Sequence, residues 1–136
     1  MNIVDSCGWL EFIANGHNAD FFQPVLEVEG QLLLPGLVAF EVIRRLMVLK
    51  QDVAIGPTLT VMGRLKRADL TVAQLAQAAF AARTNKLAMA DAIIWQTAQV
   101  NQALLYTQDI DLQGLPGVVY QARRLNNEGL IRPGNA

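Results

Sequence analysis

The chain has one cysteine and one histidine among its 136 residues. The lone Cys7 excludes an internal disulfide and fits a reducing compartment, so we expect a cytoplasmic protein. With a single His17 as well, a zinc site of clustered cysteines and histidines is excluded. Nucleophilic catalysis of the Ser-His-Asp or Cys-His kind survives only if His17 is the base. Its surroundings, ANGHNAD, instead read as an exposed polar turn. Neither charge is in excess; the formal net charge is −1. No global basicity points to nucleic acid, so a basic surface must come from local grouping. Long apolar runs are missing too. LLLPGLVAF falls far short of a membrane span, and MNIVDS has no basic segment ahead of an apolar one, so we expect no membrane association and no secretory signal. There is no glycine-rich run ending in Gly-Lys-Ser/Thr, which excludes a P-loop. A phosphatase of the aspartyl-phosphate type needs a second aspartate two residues after the first, where this chain has Cys7.

What is present is a core. Hydrophobic residues make up 52% and charged residues 17%, enough for one compact domain. NIVD, QLLL, KRADL, ALLYT and VVY read as short strands. Between them lie helical stretches: SCGWLEFIA, a piece of ADFFQPVLEVE interrupted near Pro24, and GLVAFEVIRRLMVLK with Pro35 in its first turn. QDVAIGPTLTVMGRL has helical spacing that Gly56-Pro57 should break or kink. VAQLAQAAFAARTN follows a cap at Thr71, and LAMADAIIWQTA places Ile93, Ile94 and Trp95 toward a core. Strands alternating with helices imply a three-layer α/β/α sandwich with a mostly parallel central sheet. The basic, polar tail 121–136 reads as appended to a domain of residues 1–120.

Four of the twelve acidic residues sit where a solubilising charge is out of place. Asp5 ends the first strand. Glu41 lies between Phe40 and Val42. Asp91 is set among apolar residues, with no basic residue nearer than Lys86. Asp109 follows the strand ALLYT. Each has a structural reading: Asp5 or Asp91 as a helix cap, Glu41 paired with Arg44 or Arg45, Asp109 as a turn residue. Together they read differently. Parallel sheets gather ligands at the carboxyl ends of their strands, where Asp5 and Asp109 fall. Helices carrying Glu41 and Asp91 could lean over that edge. Carboxylates brought together raise one another's proton affinity, and a divalent cation relieves the repulsion. Oxygen-only ligation suits Mg²⁺ or Mn²⁺.

These residues also carry a resemblance. NIVDSCGWLEF, LLLPGLVAFEVIRRL and LAMADAIIWQTAQVNQALLYTQDIDLQGLPGV, in this order, resemble the acidic motifs of PIN domains, specifically VapC-type toxin ribonucleases. The match covers about residues 1–120. Carried over position by position, it places the family's acidic quartet on Asp5, Glu41, Asp91 and Asp109, with Asp5, Asp91 and Asp109 holding the metal. Ser6 and Thr107 fall on supporting positions, and Asp111 is an additional acid beside them. The resemblance implies a Mg²⁺- or Mn²⁺-dependent endoribonuclease, RNA as substrate, homodimerisation, and inhibition by a cognate VapB-like antitoxin. Cys7 stands where the family more often has serine or asparagine, and Gly56-Pro57 falls where relatives have continuous helix. A catalytically weak or inactive PIN scaffold serving as a protein-interaction module is the competing reading. Two basic groups, Arg44, Arg45 and Lys50 and then Arg64, Lys66 and Arg67, are either phosphate contacts or solvated helix faces.

Overall fold

The short apolar runs pair into one sheet. In the computed structural model, which describes residues 1–124, the strands are β1 (Asn2–Val4), β2 (Leu32–Leu34), β3 (Lys66–Arg67), β4 (Leu104–Thr107) and β5 (Val118–Tyr120). Their order is β3-β2-β1-β4-β5 and all four pairings are parallel. All three residues of β2 are buried, as expected of a parallel strand covered on both faces. At the edge, β3 is two residues long and both are exposed cations, a device that discourages further pairing. Helices α1 (Ser6–Ile13), α2 (Ala19–Leu26), α3 (Gly36–Val48), α4 (Ile55–Met62), α5 (Val72–Asn85) and α6 (Met89–Val100) complete the three-layer α/β/α arrangement. The core runs through Ile3, Phe22, Val38, Val42, Ile94, Ala98 and Leu105.

Two local features set how tightly the layers close. A Cβ on Gly8 would lie 2.6 Å from Val4 and 2.7 Å from the Phe22 ring, so α1 reaches β1 and α2 only without a side chain there. Pro35, which precedes α3, offers no capping side chain. Asp69 supplies one from beyond β3, accepting from the Gly36 N–H at 2.9 Å.

The structure corrects three expectations. Pro24 does not interrupt its helix: α2 is continuous from Ala19 to Leu26. Pro24 and Asp20, whose carbonyl loses its partner, are both exposed, so water replaces the missing bond. Gly56-Pro57 neither breaks nor kinks the fourth helix. The pair lies in its first turn, where an N–H has no helical acceptor anyway. Of Ile93, Ile94 and Trp95, only Ile94 is fully buried. The fold also extends past residue 120. Gln121 N–H donates to the Thr107 carbonyl at 3.0 Å, and the Ala122 carbonyl accepts from Asn18 at 2.9 Å. Residues 125–136 of the tail lie outside the described residues. Among the described residues no helix is long and apolar enough to cross a membrane.

Candidate metal centre

The chain runs from β1 outward to β2 and β3, then returns to add β4 and β5 on the other side. The strand order therefore reverses between β1 and β4, and the crevice at their carboxyl ends is where open α/β sheets take ligands. Asp5 follows β1 directly, and Asp109 lies two residues beyond β4. Asp91 stands in the first turn of α6. There the positive end of the helix dipole favours a carboxylate. Asp5, Asp91 and Asp109 each present an oxygen to one spot, all within 4.8 Å of one another.

Asp5 is buried, at 4% exposure, and held from both sides. Its Oδ1 accepts the Ser6 N–H at 2.8 Å, which caps α1. Its Oδ2 accepts the Thr107 hydroxyl at 2.9 Å. The Thr107 Oγ1 in turn accepts the Asp109 N–H at 3.0 Å, so one hydroxyl ties two acids together. Cys7 donates only weakly, with Sγ 3.7 Å from the same Asp5 oxygen. Burial pushes the Cys7 thiol up, with the Asp5 charge adding to it, so this residue is a neutral thiol. Asp109 is fixed by an Asx-type turn in which its Oδ1 accepts the Asp111 N–H at 3.0 Å. Asp111 itself is exposed and outside the cluster.

The electrostatics follow from this crowding. Burial raises the proton affinity of Asp5, and the Asp109 charge adds to it, against the Thr107 and Ser6 hydrogen bonds. Burial and then the charges of Asp109 and Asp5 push half-buried Asp91 up to about 7. The charges acting most strongly on these acids are other carboxylates. Such a donor set, all oxygen and mutually repelling, fits a hard divalent cation.

Glu41 is not one of the three. It is half-buried on α3, and its proton affinity is raised by burial and then by Asp5, against the opposing effect of the Ser6 side chain. The ion pair with Arg44 that the helical spacing allows is not formed. His17 is exposed in its turn, as expected, and takes no part in the cluster.

Behind the cluster lies a network that sequence reading missed. Gln108 sits between Thr107 and Asp109 and is buried. Its Nε2 donates to Glu11 at 3.2 Å, and its Oε1 accepts Asn18 Nδ2 at 3.0 Å. Glu11 also accepts the Asn18 N–H at 3.1 Å. Strand alternation sends Thr107 toward Asp5 and Gln108 into this network, so both faces of the segment carrying Asp109 are anchored.

A family model for the PIN domain matches residues 3–118. Among solved structures, the chain resembles one from a toxin-antitoxin complex of Klebsiella pneumoniae, with a TM-score of 0.69 and 21% identity over 88% of this chain and 96% of that one. It also resembles a Pyrobaculum aerophilum protein, with a TM-score of 0.68 and 20% identity over 88% and 87% of the two chains. A third is from VapBC2 of Rickettsia felis bound to a promoter DNA fragment, with a TM-score of 0.66 and 15% identity over 89% and 97%. Curated protein sequences gave no significant match. The matched family model spans both acidic strand ends and the helices between them, and the chain belongs to the PIN domain family.

Proposed function

We propose that this protein is a divalent-metal-dependent endoribonuclease of the VapC type, the toxin of a toxin-antitoxin pair. The observation that carries the reading is the convergence of Asp5, Asp91 and Asp109 at the sheet's switch point. Mg²⁺ or Mn²⁺ held by these three acids supplies Lewis acidity toward water and toward the phosphoryl oxygens of an RNA strand. Thr107 and the Ser6 N–H hold Asp5 in place, and Thr107 with the Asx turn holds Asp109. Glu41, outside the triad but electrostatically linked to Asp5, positions the attacking water and takes up a proton. With His17 exposed and apart, the proton falls to a carboxylate.

Partners follow from the same surface. Trp9, Phe12, Leu26, Pro57 and Val61 line a 390 Å³ apolar cavity between α1, α2 and α4, which suits an apolar segment of a VapB-like antitoxin. Phe40 and Met47 on α3 are more than half exposed, which supports self-association as a homodimer. Its RNA substrate places such a toxin in the cytoplasm.

The test is cleavage of single-stranded RNA by the purified protein with Mn²⁺ or with chelator, beside Asp109→Asn. Cleavage with metal, lost with chelator and reduced at least about a hundredfold in the variant, is the expected result. Cleavage indifferent to both changes removes the reading. No cleavage of any RNA, with antitoxin binding intact, favours the interaction-module alternative.

A further inference from the structure

Arg44 differs from Arg64 and Arg67 in what it is bonded to. Arg64 is committed to Glu29 through Nε to Oε1 at 2.9 Å and Nη2 to Oε2 at 2.8 Å. Arg67 is committed to Asp69 at 2.9 Å. Arg44 forms no ion pair with a described residue. Instead it lines, with Arg45, Glu41, Val48, Ser6 and Leu10, a cavity of 400 Å³. Helical spacing builds this cavity. Glu41, Arg44, Arg45 and Val48 lie one and two turns apart on α3, and Ser6 and Leu10 lie one turn apart on α1. Ser6 marks one end. Its N–H caps onto Asp5, so the cavity opens beside the metal centre.

The lining combines guanidinium groups with aliphatic surface. Guanidinium binds phosphate oxygens in pairs, and aliphatic surface accepts a base or ribose. Glu41 at the metal end repels phosphate, which shifts the favourable position one turn along α3, about 5.4 Å away, beside the arginines. We infer that this cavity is a nucleotide subsite of a single-stranded RNA. Arg44 holds the phosphate next to the one cleaved, and Leu10 and Val48 carry the attached base or sugar. The inference rests on the ribonuclease reading for its substrate.

The test uses a labelled twelve-nucleotide oligouridylate, titrated at several salt concentrations against protein carrying Asp91→Asn, so that no strand is cut. Adding Arg44→Ala should weaken binding about tenfold. The same change should make the slope of log affinity against log salt shallower by about 0.7, the loss of one single-strand phosphate contact. Arg44→Glu should weaken binding further, and Arg67→Ala, whose partner is already a carboxylate, should do neither. In the otherwise native protein, Arg44→Ala should raise KM and leave kcat in place. Unchanged oligouridylate affinity and slope in both Arg44 variants overturn the subsite, as does an equal loss in Arg67→Ala. Thermal shift with Mn²⁺ separates this from the metal reading. Native protein unmoved by Mn²⁺ counts against the metal centre, while the oligouridylate titration still decides the subsite.

Discussion

Replacing Asp91 with asparagine should stabilise the metal-free protein at alkaline pH, against the usual direction for a substitution in a half-buried site. The side chain keeps its shape and loses its charge. In the folded chain Asp91 holds its proton up to about 7, against an ordinary 3.8, because burial and the charges of Asp109 and Asp5 oppose ionisation. Each tenfold in proton affinity is about 1.4 kcal/mol, which gives a ceiling of about 4 kcal/mol. Water reaches a half-buried carboxylate and screens it, so we take about 2 kcal/mol. The sign follows from proton binding. Between the two pKa values the folded state holds more protons than the unfolded one, so native stability falls as pH rises from about 4 to about 7 and then levels off. Asp91→Asn removes its own share of this fall and leaves those of Asp5 and Glu41, which are raised in the same direction. For a chain of 136 residues, about 2 kcal/mol corresponds to a melting temperature about 6–10 °C higher. Thermal denaturation of metal-stripped protein at pH 8, followed by circular dichroism, should show that gain. The gap should close as the pH is lowered toward 4. A variant no more stable than the native protein at pH 8, or a gap that ignores pH, would refute the argument that repulsion among these acids is what a cation relieves.

Other outcomes follow from neighbouring contacts. Thr107→Val removes the hydroxyl that serves both Asp5 and Asp109. It should cost about 1–3 kcal/mol in denaturant titration and lower Mn²⁺ affinity about 10–100-fold by calorimetry. Gly8→Ala forces a methyl against Val4 and Phe22 and should destabilise by about 1–3 kcal/mol, visible as a lower urea midpoint with an unchanged slope. Saturating Mn²⁺ at about 100 times its dissociation constant should stabilise the native protein by roughly 2.7 kcal/mol and move its melting temperature by several degrees. A shift of equal size in Asp91→Asn would count against that residue as a ligand.

The acids at the strand ends were legible because their contexts are local. Asp5 and Asp109 follow strands, Asp91 is flanked by apolar residues, and parallel topology does the rest. Thr107 was found by resemblance, and the structure supplies its physical reason: one hydroxyl bonded to two acids. Glu11, Asn18 and Gln108 were not legible. They are separated by up to 97 residues, and each alone looks like a solvated polar side chain, yet all three are buried and bond one another. Only the tertiary fold brings them together. The Asp69 cap on α3 was hidden for the same reason, since its partner Gly36 lies 33 residues away. The effect of Pro24 and Pro57 depends on their positions in the helices, which residue type alone does not give. One bond is lost on a solvent-facing turn, and Pro57 stands where an N–H would have no helical acceptor.

The most direct measurement is calorimetric titration of Mn²⁺ into the native protein and into Asp5→Asn, Asp91→Asn and Asp109→Asn. The account predicts saturable binding to the native chain, weakened at least about tenfold in each variant, a loss of about 1.4 kcal/mol or more. Binding of undiminished affinity in the three variants, or no binding to the native chain, would contradict the assignment of these acids to a metal centre.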